Sequence, residues 1–180
     1  MSNHVANALI EALNDEYKAR AIYRYVINTF GPIRPFMNIV EAESRHIQAL
    51  LPLFHKYGIP VPPDTWDQRI DKPESVMDAC SIGVEAEIEN AEMYGRLLKA
   101  TVDYPDIQRV MMHLQRASVE NHLPAFQRCC ARASRQPGYT GTCSRRTGMR
   151  GERGGRRYRG GRCGSARISE KNDFRLKERA

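Results

Sequence analysis

Between Asn3 and Cys129 the chain runs four times through the same pattern, in which apolar residues recur three and four positions apart until Pro or Gly ends the run. Leu9, Ala12, Leu13, Ala19, Tyr23, Val26, Ile27 and Phe30 line the first run, which Gly31-Pro32 closes. The second extends from near Pro35 to Tyr57 through Phe36, Ile39, Val40, Ile47, Leu50, Leu53 and Phe54, and Pro52 inside it predicts a bend. The third, from about Glu74 to Ala100, carries Met77, Cys80, Val84, Ile88, Ala91, Tyr94 and Leu97. The fourth opens at Tyr104-Pro105-Asp106, with Asp103 as the expected N-cap and Pro105 in the first turn. It continues unbroken through Ile107, Met111, Leu114, Ser118 and Phe126 to Cys129.

This spacing puts one face of each helix on a core, and no alternating Val/Ile/Thr run offers a strand. The expected fold is therefore all-α: an antiparallel four-helix bundle over residues 1–133. The proline-rich stretch Gly58 to Lys72 is a long middle connection that favours one crossover. The halves also repeat. Glu16 precedes Tyr23 by seven residues, and Glu87 precedes Tyr94 by seven; His46 and His122 are each followed at the third position by Ala and then a large apolar residue. Two copies of one helical hairpin explain both features.

Charge divides the chain differently. The net charge of +7 arises from 14 Lys+Arg against 17 Asp+Glu up to Ala133, then 14 against 4 from Ser134 onward. The mildly acidic body gives no nucleic-acid footprint. The 134–180 segment holds 9 of the 13 glycines and only Ile168, Phe174 and Leu176 from the large aliphatic and Phe set, so a disordered basic tail is expected. Its Arg150-Gly151, Arg153-Gly154-Gly155 and Arg159-Gly160-Gly161 steps, with Tyr139 and Tyr158, suit weak nucleic-acid contact through phosphate and base stacking. A solvated extension fits the same composition.

No apolar run reaches the ~18 residues that cross a bilayer. The opening Met-Ser-Asn-His lacks a basic and apolar leader, so a cytoplasmic location is expected. The cysteines (Cys80, Cys129, Cys130, Cys143, Cys163) are odd in number and form no CxxC, which predicts free thiols.

Glu85, Glu89 and Glu92 fall on an outer face of the third helix, with Arg96 a turn beyond as their partner. Glu16, Glu43 and Glu87 instead fall inside apolar stripes. Three carboxylates directed into one interior must be protonated, paired with cations or bound to metal, because an unpartnered buried carboxylate costs several kcal/mol. Glu43-Ser44-Arg45-His46 puts a carboxylate and an imidazole about one turn apart on one face, a spacing that chelates a single ion.

The phrases Asp15-Glu16-Tyr17-Lys18-Ala19, Arg34-Pro35-Phe36-Met37-Asn38-Ile39, Ala42-Glu43-Ser44-Arg45-His46-Ile47, Gly83-Val84-Glu85-Ala86-Glu87-Ile88 and Asn121-His122-Leu123-Pro124-Ala125-Phe126 carry a further signal. Over about residues 5–132 the chain resembles the ferritin-like superfamily, the rubrerythrin and bacterioferritin type of four-helix protein, in a branch of unknown function. The resemblance implies a metal site in which Glu16 and Glu87 are terminal carboxylates, Glu43 bridges, and His46 and His122 are the two histidines. It implies iron or manganese, one or two ions per chain, and redox chemistry with O2 or peroxide. The family's sixth ligand is missing, since Val119 stands three before His122. Tyr23 and Tyr94 are packing residues or donors to ligand carboxylates. A homo-oligomer such as a dimer and an external electron donor are the implied partners, with no membrane. A different class also fits Val119: a non-catalytic helical binding or assembly module that has lost a working centre.

Overall fold

In a computed structural model of the chain, residues 3–135 are described. The basic segment lies outside the described residues from 136 onward, and with it the Arg-Gly steps, Tyr139 and Tyr158. Described residues form α1 (Asn3–Phe30), α2 (Phe36–Tyr57), a 3-10 turn (Trp66–Gln68), α3 (Val76–Ala100), α4 (Pro105–Ala117), a π-helical turn (Ser118–His122) and α5 (Leu123–Ala133). The fold of this region is all-α. None of these helices is long and apolar enough to cross a membrane.

Neighbouring helices run antiparallel, as their cross-contacts show. Along α1 and α3, Glu11 meets Arg96, Glu16 meets Tyr94 and Tyr23 meets Glu87. Along α2 and α4, Tyr57 meets Asp106 and His46 lies by His113. It follows that α2 and α3 are parallel, so the chain between them must return along the bundle. The 22 residues of α2 span about 33 Å, which the intervening chain easily covers when extended. The return path follows α1: Arg20 pairs with Asp64 at 2.7 Å, Trp66 Nε1 donates to Asn14 Oδ1 at 3.3 Å, and Lys72 lies over the Tyr25 ring. This is the one-crossover arrangement that the long connection favours.

Several local expectations change. Tyr104, not Asp103, holds the N-cap position of α4, and its side chain makes no cap bond; Pro105 follows as the first helical residue. At α3 the cap is conventional, with Ser75 Oγ accepting from the Asp78 amide at 3.1 Å. Gly58 takes φ 65° and stops α2, with the Ile59 amide donating to the Phe54 carbonyl. The α2 helix continues through Pro52. Ile88, expected in the α3 stripe, is 45% exposed. Arg96 pairs with Glu11 across to α1 rather than with Glu92.

The fourth run is not one uninterrupted helix. Pro124 has no amide hydrogen to give to the carbonyl four residues back, and its ring crowds that carbonyl. The backbone widens just before it, and the Leu123 amide donates to Ser118 O, five residues back. Beyond this turn α5 lies antiparallel on α3, close enough that a Cβ on Gly83 would come within 2.6 Å of the Phe126 ring. Glycine is needed there for space. One step further along the same seam, Cys80 and Cys129 form a disulfide with Cα atoms 5.7 Å apart. The free-thiol expectation is therefore wrong for this pair, which lies 49 residues apart in sequence.

Apolar residues pack in two clusters at different levels of the bundle. One is built on Leu9, Leu13, Leu50, Phe54, Leu97, Ile107 and Met111. The other is built on Tyr23, Val26, Phe36, Ile39, Cys80, Phe126 and Cys129. Glu16, Glu43, His46, Glu87, Ser118 and His122 are also buried.

Candidate metal centre

Each helix brings one or two polar side chains to this level because its apolar stripe is interrupted there. Glu16 comes from α1, Glu43 and His46 from α2 one turn apart, Glu87 from α3, and His122 from the end of the π turn. All five residues expected from the sequence thus converge, each no more than 7% exposed.

Glu43 sits between the two histidines and gives one oxygen to each. Its Oε2 lies 2.8 Å from His46 Nδ1, and its Oε1 lies 3.3 Å from His122 Nδ1. Glu16 Oε2 is 3.1 Å from His46 Nδ1 and Glu87 Oε1 is 3.5 Å from His122 Nδ1. The arrangement is two half-sites, Glu16/His46 and Glu87/His122, sharing Glu43. The histidine rings stack with centroids 5.6 Å apart. Ligand atoms of Glu43, His46 and His122 all fall within 4.8 Å of one another, so this buried group could hold a metal ion. A cavity of about 30 Å³ reaches the cluster from between α1 and α3.

The tyrosines are donors as well as packing residues. Tyr23 Oη donates to Glu87 Oε1 at 3.1 Å and Tyr94 Oη to Glu16 Oε1 at 2.7 Å. Burial, reinforced by the neighbouring carboxylate charges, pushes both phenols well above their usual range and keeps the O–H in place.

Protons settle unequally over the ligands. Burial pushes Glu43 well up, and the charge of Glu16 adds to it. Burial also acts on Glu16, but the hydrogen bond and charge of His46, with further bonds from Glu43 and Tyr94, outweigh it and hold Glu16 low. Burial works against the charged form of His46, yet its bonds and charge pairing with Glu16 and Glu43 raise it to about 10. The metal-free site therefore stores a proton on His46 that a bound cation would displace.

No family model matches the chain. It is similar to an uncharacterised protein of Methanocaldococcus jannaschii, 28% identical over 143 residues, covering 71% of this chain and 76% of that relative.

Val119 does not occupy the position of a sixth ligand. It is 44% exposed, because the π turn rotates it outward. Ser118 is the residue turned inward, 2% exposed, with Oγ donating to the Glu87 carbonyl at 3.1 Å. Pro124 is the sequence signal that locates this change. Glu120 lies outside and pairs with Arg116. Glu85, Glu89 and Glu92 are exposed.

Two residues outside the apolar stripes also border the site. Asp15 lies beside the cavity and accepts from Asn90 Nδ2 at 2.6 Å; burial lifts it to about 6 against the pull of that bond. His113 lies edge-on to His46, centroids 6.4 Å apart. It also lines an outer groove of about 610 Å³ between α2 and the α4–α5 run, whose walls include His46 and His122.

Proposed function

We propose that this protein is a ferritin-like metal protein that holds one or two iron or manganese ions per chain and carries out redox chemistry with O2 or peroxide. The observation that carries this reading is Glu43, buried, with one oxygen on each of two histidines that each have a second carboxylate. Imidazole nitrogen and carboxylate oxygen suit iron and manganese, and the three carboxylates supply −3 toward the +4 of two divalent ions. Bound iron would supply reversible one-electron steps and coordination positions open to an oxidant.

The protein's own groups set the conditions. Glu16 and His46 would hold one ion, Glu87 and His122 the other, and Glu43 both. Tyr94 and Tyr23 fix the outer carboxylates through their hydroxyls: Tyr94 takes Glu16 Oε1 and leaves Oε2 toward His46, whereas Tyr23 donates to Glu87 Oε1, the same oxygen that faces His122. Because Nδ1 of each histidine faces the carboxylates, loading must remove the proton from His46 and leave the remaining N–H on Nε2. The apolar clusters limit water at the site, and the outer groove along His46 and His122 is wide enough to admit a small oxidant.

The inward Ser118 favours a second reading, a helical binding module without a working centre, because a hydroxyl replaces the charge a second bridging carboxylate would provide. One experiment separates them. Protein with the Cys80–Cys129 disulfide intact, loaded anaerobically with Fe(II) and mixed with peroxide, should develop ferric absorption in the near ultraviolet much faster than Glu43→Ala protein under the same conditions. Equal rates in both would remove the redox reading.

A further inference from the structure

The antiparallel seam between α3 and α5 has three rungs. Glu87 faces His122 at 3.5 Å, Gly83 lies against the Phe126 ring, and Cys80 is joined to Cys129. Seven residues back along α3 match seven residues forward from His122, so two helical turns, about 10 Å, separate the cysteine pair from the carboxylate and imidazole pair. Tyr23 occupies this interval. Its hydroxyl is bonded to Glu87, its ring packs on Phe126 with centroids 5.2 Å apart, and it belongs to the same apolar cluster as both cysteines. The two cysteines are 0% and 1% exposed.

We propose that Cys80 and Cys129 are a two-electron store for the site, a dithiol in the reduced protein and a disulfide after one reaction with peroxide. This rests on the metal reading above and gives it an internal reductant. The step balances as H2O2 + 2 RSH → RSSR + 2 H2O. The O–O bond and two S–H bonds break, and one S–S bond forms. Two electrons pass from sulfur to oxygen, and the two thiol protons end in the two waters. Direct attack by these thiols on peroxide is disfavoured, because it needs an accessible thiolate and both groups are sealed among apolar side chains. Their oxidation therefore has to depend on the loaded site two turns away. Cys130 lies outside the pair, half-buried, with Sγ 4.0 Å from Ser81 Oγ, and serves as an internal control.

The test uses the full chain, reduced with dithiothreitol, freed of reductant anaerobically and treated with one equivalent of hydrogen peroxide, with and without prior Fe(II) loading. Thiols are then trapped by N-ethylmaleimide in denaturant and mapped by mass spectrometry of peptides. With iron, one Cys80–Cys129 disulfide should form per peroxide consumed; without iron it should form at least about ten-fold more slowly. In Cys80→Ala/Cys129→Ala protein holding the same iron, the oxidising equivalents should remain as ferric absorption. If iron binds and peroxide is consumed while Cys80 and Cys129 stay alkylated, the electron store is wrong and the metal reading stands. Failure to bind iron overturns both. A disulfide that native reduction cannot open, equal oxidation without iron, or a different cysteine pair also overturns the proposal.

Discussion

The α1–α2 half and the half running from α3 to α5 start from the same pattern and diverge at one turn. Each supplies a Glu, a Tyr seven residues later and a His on the following helix. The tyrosines even cross over, Tyr94 serving Glu16 and Tyr23 serving Glu87. In the first half α2 remains α-helical, and Glu43 and His46 reach the centre together. In the second half Pro124 forces a wide turn that brings Ser118 inward in place of Val119, and since neither residue is acidic no carboxylate of the same run accompanies His122. The lesson is that backbone register, and not only residue identity, decides what a repeat retains. Glu43 alone contacts a histidine of each half.

This asymmetry predicts unequal damage. Glu43→Ala should abolish metal binding at both half-sites, whereas Glu16→Ala or Glu87→Ala should each leave up to one ion per chain, as read by metal analysis of purified protein. Equal total loss from all three would show that the two half-sites do not load separately.

The second-half seam can be broken without touching a ligand. Gly83→Ala forces a methyl into the space of the Phe126 ring and should cost about 1–3 kcal/mol, seen as a lowered denaturation midpoint. An unchanged midpoint would mean that α5 shifts freely against α3.

Register itself is tested at two adjacent positions. Ser118→Glu should increase metal stoichiometry toward two and destabilise the metal-free protein by about 1–3 kcal/mol, since it buries a further carboxylate. Val119→Glu should change neither. The opposite pattern would restore an unbroken α-helix through residue 122.

Acidity sharpens the comparison from the first half. His46 is raised to about 10 from 6.5, so its pairing stabilises the metal-free fold fully below the unfolded value and loses that contribution as pH rises through the folded one. The upward shift that burial gives Glu43 acts in the same direction. The melting temperature of the metal-free protein should fall from neutral pH toward pH 10, more steeply than that of His46→Gln protein. Parallel curves would show that His46 is neutral before metal arrives.

Much of this was legible because burial and helical spacing act locally. Helix limits at Phe30, Tyr57 and Ala100, the convergence of Glu16, Glu43, His46, Glu87 and His122, and the crossover all follow from stripes, Pro/Gly breaks and loop length. The π turn did not, because an apolar stripe assumes 3.6 residues per turn and a proline two residues past a histidine changes it. The Cys80–Cys129 pair was invisible for another reason: its partners are brought together only by the pairing of α3 with α5. Their seven-residue distances from Glu87 and His122 were in the sequence, but without the seam they had no meaning.

Metal held between the halves is tested most directly by one measurement. Protein purified from cells supplied with iron and manganese, and again after anaerobic Fe(II) addition and desalting, is analysed for bound metal by mass spectrometry, with thermal stability followed in parallel. One to two ions per chain, a raised melting temperature and loss of both in Glu43→Ala protein are the predicted results; less than about 0.3 ion per chain with no change in melting temperature would contradict the account.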